Sequence, residues 1–158
     1  MMTYSLDQLE DHVGKVLGES GFYTITQAQV NRFADATGDH NWIHVDPERA
    51  KQSPFGTTIV HGYLTLSLVP VLLDESVTVT GTRMRVNYGI NRVRFPAPVP
   101  VGARIKLTVK LHSLKEFDQG LDVHYGFEIT TENATGALRR TVCSRCHPCF
   151  FARSELPP

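Results

Sequence analysis

Apolar positions recur along this chain with two periods, a helical one up to about residue 76 and a two-residue alternation beyond it. Ser5 with Gln8 offers a capping box, and Leu6, Leu9, Val13, Val16 and Leu17 follow a helical stripe that Gly14 weakens, predicting a short N-terminal helix. Phe22 to Thr26 reads as a short extended lead into a better-marked helix. There Thr26 is the N-cap, Gln29 completes a capping box, and Val30, Phe33, Ala34 and Thr37 share one face. Gly38 closes that helix, because glycine tolerates the left-handed conformation of a helix C-terminus. Asp46 and Pro47 then start another, as N-cap and first helical residue. The residues between, Asp39 to Val45, are expected as a short loop held at both ends. After a turn at Ser53-Pro54-Phe55-Gly56, Tyr63 to Leu73 is almost continuously apolar. Its length favours a helix, buried all round, which Pro70 should kink or break. From Val77 the pattern is that of strands at 77–80, 83–88, 93–95, 105–111 and 123–131, with breaks at Gly81-Thr82, at the proline-rich 96–100, at Gly102 and at 118–120. Hairpin connections between consecutive strands would give an antiparallel sheet, and the whole chain, 1–158, one domain of the α+β class.

Composition narrows the partners. With 158 residues, 41% hydrophobic and 20% charged, the chain suits one compact core. Sixteen basic residues balance sixteen acidic ones, so no electrostatic footprint for nucleic acid or an anionic membrane is present, and a small molecule is the expected partner. The N-terminal residues lack the apolar run of a signal peptide, and no apolar stretch reaches the roughly 18 residues of a membrane span. A cytoplasmic protein is expected. Three cysteines confined to 143–149 make no secreted disulfide framework and suit a reducing compartment.

The candidate chemistry sits in the loop between the two capped helices. Asp39 and His44 are five residues apart, so a curved chain can bring carboxylate and imidazole onto one water molecule as an acid/base pair, with Asn41 between them. The same spacing also accommodates a plainer role, with Asp39 capping the preceding turn and His44 a half-buried histidine. A second spot is His61-Gly62. If Gly62 opens the apolar helix, its N–H has no intrahelical partner and forms a ready oxyanion site, whereas the plainer role is a turn.

Residues 33–44, Phe-Ala-Asp-Ala-Thr-Gly-Asp-His-Asn-Trp-Ile-His, closely resemble the signature of the MaoC-like, R-specific enoyl-CoA hydratases (hydratase 2), whose usual form is Gly-Asp-x-Asn-Pro-Ile/Leu-His. The resemblance is strongest to the subgroup related to nodulation protein N, in which tryptophan stands in place of that proline, as Trp42 does here. Residues 54–66 and 87–102 look like the same family in order, so the likeness covers most of the chain to about Thr131. It implies a single hotdog fold, an antiparallel sheet wrapped around the central apolar helix, and a homodimer with sheets joined edge to edge. It further implies Asp39 and His44 as catalytic residues, Asn41, His61 and Gly62 as substrate-binding residues, and Gly62 as donor to a thioester oxygen. The substrate would be an acyl-CoA or acyl-carrier-protein thioester, hydrated without a cofactor. Asn91, Arg92 and Arg94 could meet the carrier's phosphates or pantetheine, or form a solvated strand face.

Two rivals share the pocket: a hotdog thioesterase, and a non-catalytic acyl-binding or nodulation-type accessory protein. The paired Asp39 and His44 within the signature argue against both.

The likeness fails over 136–158. Relatives end in an apolar strand inside the sheet, whereas here Arg145, His147 and Pro148 interrupt it, which predicts a short closing strand comfortable only over Thr141 to Ser144. Cys143-x-x-Cys146-His147 matches a haem-attachment spacing, and Cys149 would complete a Cys₃His set for zinc. Four ligands within seven residues leave no second arm for a tetrahedron, and haem attachment belongs to exported proteins. No metal is expected.

Overall fold

The computed structural model describes residues 1–117, 120–132 and 138–153, with side chains described for 1–116 and 120–132. A seven-stranded antiparallel sheet carries the order β2 (Val16–Glu19), β7 (Arg104–Phe117), β8 (Gly120–Glu132), β9 (Leu138–Arg153), β5 (Thr82–Asn87). β3 (Tyr23–Thr24) adds to β7 and β6 (Val93–Arg94) to β9. Across the sheet lies the apolar segment, as α4 (Gly62–Ser67) and α5 (Val69–Ser76). Leu64, Val69, Leu72 and Leu73 from this segment share one core with Leu17, Leu107, Val109, Leu111, Val123 and Ile129 of the sheet. That is the hotdog arrangement. The approach is close enough at β2 to require glycine, since a Cβ on Gly18 would stand 2.7 Å from the Ser76 carbonyl oxygen.

The helix and sheet depart from the sequence pattern in four places. The break in the apolar segment falls at Leu68, two residues before Pro70. Proline then occupies the first turn of α5, where a missing N–H costs nothing. The segment is also not buried all round: Tyr63 is 70% exposed and Val71 50%. The N-terminal stripe divides. Leu6–His12 forms a 3₁₀ helix opened by the Ser5–Gln8 bond, but Gly14 N–H already donates to Leu111 of β7, so Val16 and Leu17 continue as strand. Finally, the strands are not joined throughout by consecutive hairpins. Only Gly81 separates β5 from β4 (Val77–Thr80), too little for a two-residue hairpin. β4 instead pairs in parallel with β1 (Met2–Ser5) as a separate small sheet.

The closing strand is longer than its composition suggests. β9 runs through Arg145, His147 and Pro148, with Pro148 opposite His124 of β8. On its other side β6 pairs with Cys143 and Ser144, and β5 with Cys149 to Arg153. Pro148 falls in the interval between those pairings, so a residue without an N–H withholds no bond from either strand. The side chains of Cys143, Cys146, His147 and Cys149, weighed above as metal ligands, lie outside the described residues.

Candidate active site

The helix α1 (Gln27–Thr37) begins and ends as its sequence dictates. Thr26 accepts from Gln29 N–H, Gln29 returns the bond to Thr26 N–H at 2.9 Å, and Gly38 closes the helix at φ 78°. Asp39 follows immediately. The expected loop is itself partly helical, since Trp42–Val45 forms one turn, α2, capped by the Asn41 side chain on Ile43 N–H at 3.3 Å. Asp46 then caps α3 (Pro47–Ala50) through Arg49 N–H, at 3.0 Å. A single helical turn between two caps fixes the separation of Asp39 from His44.

His44 is buried and held from two directions. Its Nδ1 lies 2.6 Å from the Ile59 carbonyl, which can only accept, so the proton is on Nδ1 and the Nε2 lone pair is free to act as base. Ile59 is pinned in turn, because its N–H donates to Ile43 and its neighbours Val60 and Thr58 exchange backbone bonds with Val99 and Val101. On the other side, the Gln27 side chain donates to the His44 carbonyl at 2.8 Å and accepts from Thr58 Oγ1 at 2.7 Å. Burial is the main cause that holds the His44 pKa below the ordinary histidine value of 6.5. The hydrogen bond to Ile59 opposes it, His61 adds to it, and Asp39 partly offsets it.

Asp39 keeps a largely exposed carboxylate, with one oxygen accepting weakly from Asn41 N–H at 3.4 Å. His61 closes the group from beneath. Its ring stacks on His44 with centroids 3.8 Å apart and planes 28° from parallel, and its Nε2 lies 3.0 Å from the Asp39 carbonyl and 4.0 Å from the carboxylate. Ligand-type atoms of Asp39, His44 and His61 thus fall within 4.8 Å of one another. A metal ion does not fit this trio. The nitrogen lone pairs lie in the ring planes, and in stacked rings they run side by side instead of meeting at one point. Moreover, His44 Nδ1 and His61 Nε2 are already committed to carbonyls.

Beside His44 lies a cavity of about 160 Å³, lined by Ile59, Gly62, Thr65, Phe95 and Val99 among others. Gly62 is the first residue of α4, so its N–H has no intrahelical acceptor. It borders the cavity with no side chain, and a Cβ there would stand 3.2 Å from the Phe95 ring. The structure therefore brings Asp39, His44, His61 and Gly62 together, while Asn41 serves as a helix cap at the edge. Asn91, Arg92 and Arg94 are exposed, and an Arg94 Nη1 donates to the Val93 carbonyl. Gln27 and Thr58 were missed by sequence reasoning. Gln27 reads as an ordinary first-turn helix residue, and only its 31-residue distant bond to Thr58 reveals the role.

Residues 9–133 match the MaoC like domain. The chain belongs to this family. Among its relatives, 3-hydroxyacyl-thioester dehydratase Z of Mycobacterium tuberculosis is 53% identical over 116 residues, covering 73% of this chain and 77% of the relative. Nodulation protein N of Rhizobium meliloti is 48% identical over 107 residues, 66% of each. Among solved structures, the A. caviae (R)-hydratase involved in PHA biosynthesis superposes with a TM-score of 0.66 at 27% identity. That match covers 90% of this chain and 97% of the other. A regulatory protein of monoamine oxidase from Archaeoglobus superposes at 0.73 and 25% identity over 99% of this chain and all of the other.

Proposed function

We propose that this MaoC-like protein is a hydro-lyase that adds water across a trans-2-enoyl thioester to give the R-3-hydroxyacyl thioester, or runs the reverse dehydration, in fatty-acid metabolism. The observation that carries the reading is the fixed tautomer of His44: a buried imidazole whose Nε2 is left unprotonated, with a ring nitrogen within 4.8 Å of an exposed carboxylate oxygen and an apolar cavity beside it. The dehydratase and hydratase relatives support the same chemistry. A water held between His44 and Asp39 loses a proton to His44 Nε2 as its oxygen bonds C3. The double-bond electrons move onto the thioester oxygen, which receives the Gly62 N–H. The enolate then collapses as the Asp39–His44 pair returns the proton to C2, so H and OH are added and both side chains end as they began. Asn41 fixes the spacing of the pair, and His61, expected from the family likeness to bind substrate, lies buried beneath the pair outside the lining of the cavity.

The protein acts on CoA or acyl-carrier-protein thioesters without a cofactor, in the cytoplasm and as a homodimer. Residues sharing one proton transfer lose their effect together. Asp39→Asn, His44→Gln and the double variant should each fold and each lose about 10² to 10⁴ in kcat/KM. Loss of the conjugated enoyl absorbance across acyl lengths is the measurement. A wild-type protein that released free thiol instead would be a thioesterase, and one whose melting point rose with acyl-CoA but that turned over nothing would be a binding protein.

A further inference from the structure

His61 is more thoroughly buried than His44, at 2% exposure against 8%, and it does not line the cavity beside Gly62. A buried imidazole placed merely to start a helix would need only its main chain, and the main chain of His61 does that, its carbonyl accepting from Thr65 N–H at 3.1 Å. The ring faces the other way, into the space between Phe33, His44 and Asp39, with its centroid 5.1 Å from the Phe33 ring. Its Nε2 meets a carbonyl, so that nitrogen carries the proton and donates. Nδ1 is buried with no hydrogen-bond partner among the described residues. Leaving a polar atom unpaired costs stability, and it persists where a ring is needed for its shape and its other nitrogen.

We propose that His61 is a positioning residue that couples the two reacting groups: its Nε2–H fixes the main chain of Asp39, while its ring face fixes the plane of the His44 imidazole. Without it, Asp39 hangs on an exposed turn and His44 is held at one edge only, by Ile59. Because the contact is face to face at 3.8 Å, a positive charge on either ring is felt by the other. The charged and titratable groups facing His61 are His44 and Asp39, since Phe33 is neutral. The inference rests on the hydratase reading for its catalytic consequence, but the coupling itself can be measured without turnover.

Two conservative variants separate the two contacts. His61→Phe keeps a ring for the stack and removes the donor, while His61→Gln keeps a donor and removes the stack. In the full chain, each is expected to lower kcat about tenfold with KM changed by less than about twofold, and His61→Ala to lower kcat about 10²-fold, the range for slight misplacement of reacting groups. NMR titration of the histidine ring nitrogens, with His44 assigned through His44→Gln, should show the His44 midpoint higher in His61→Phe than in the wild type, because the neighbouring imidazole that lowers the His44 pKa has been removed. Wild-type rates in folded His61→Phe and His61→Gln would overturn the proposal. So would a loss confined to KM, or an unchanged His44 midpoint. A wild-type protein inactive on every enoyl thioester would instead defeat the hydratase reading, and the titration would still decide whether the two rings are coupled.

Discussion

In the proposed mechanism, burial of His44 sets the pH range in which the site works. The ring is desolvated, so its folded pKa lies below the usual 6.5 despite the bond to Ile59. As pH falls through 6.5 the unfolded chain takes up a proton before the folded one, so stability drops from that point down to the folded value. Activity persists further, because the base stays unprotonated. The acid limb of kcat/KM for enoyl hydration is therefore expected to have its midpoint below 6.5, and a limb at or above that value would contradict the geometry. How much of this was legible varied by residue. Asp39 and His44 stand out because a carboxylate and an imidazole lie between a helix stop and a helix start. The stacking of His61 on His44 was not legible, since it joins positions 17 apart and depends on how α4 meets α2, which no local pattern encodes.

At the scale of elements, capping chemistry made the boundaries readable. Thr26, Gly38, Asp46 and Pro47 each do what their type prescribes. What failed depended on partners distant in sequence. β9 accommodates Pro148 only because β5 and β6 leave that stretch of its edge free, and Val16 joins a strand only because β7 lies alongside. The helix α1 contributes to the site through Gln27, whose amide spans Asn31, Thr58 and the His44 carbonyl. Gln27→Ala removes all three bonds and leaves the buried Thr58 hydroxyl unpaired, for a cost of about 1–3 kcal/mol. Denaturant unfolding should show that loss, together with a fall in kcat, whereas Gln29→Ala, which breaks the exposed cap and the amide bond to the Tyr23 hydroxyl but no bond to His44 or Thr58, should spare kcat.

At the scale of the molecule, exposed apolar residues gather where the sheet ends. β5 is paired with β9 on one side in the strand order, and the exposed Tyr88 and Ile90 line a groove of about 310 Å³ between α4, α5 and the segment after β5. An edge strand beside such a surface is where the proposed homodimer would pair its two copies. Light scattering at micromolar concentration should give twice the mass of 17.6 kDa, with an interface above about 2,000 Å². A monomeric mass would refute the dimer.

The strand pairings also carry a kinetic consequence. β2 meets β7 across more than 85 residues, Glu19 opposite Thr108, and β1 meets β4 across about 75, Met2 opposite Val77, while the bonds of His44 to Ile59 and of His61 to Asp39 close over 15 and 22 residues. Loop closure over such distances is entropically costly, so the pairing of β2 with β7 and of β1 with β4 is expected to come late in folding, after the β7–β8 hairpin, which closes locally. The loop that carries Asp39 and His44 can find Ile59 and His61 while the outer strand is still unpaired, and a chain stalled at that stage would expose the bare edge of β7 to its neighbours.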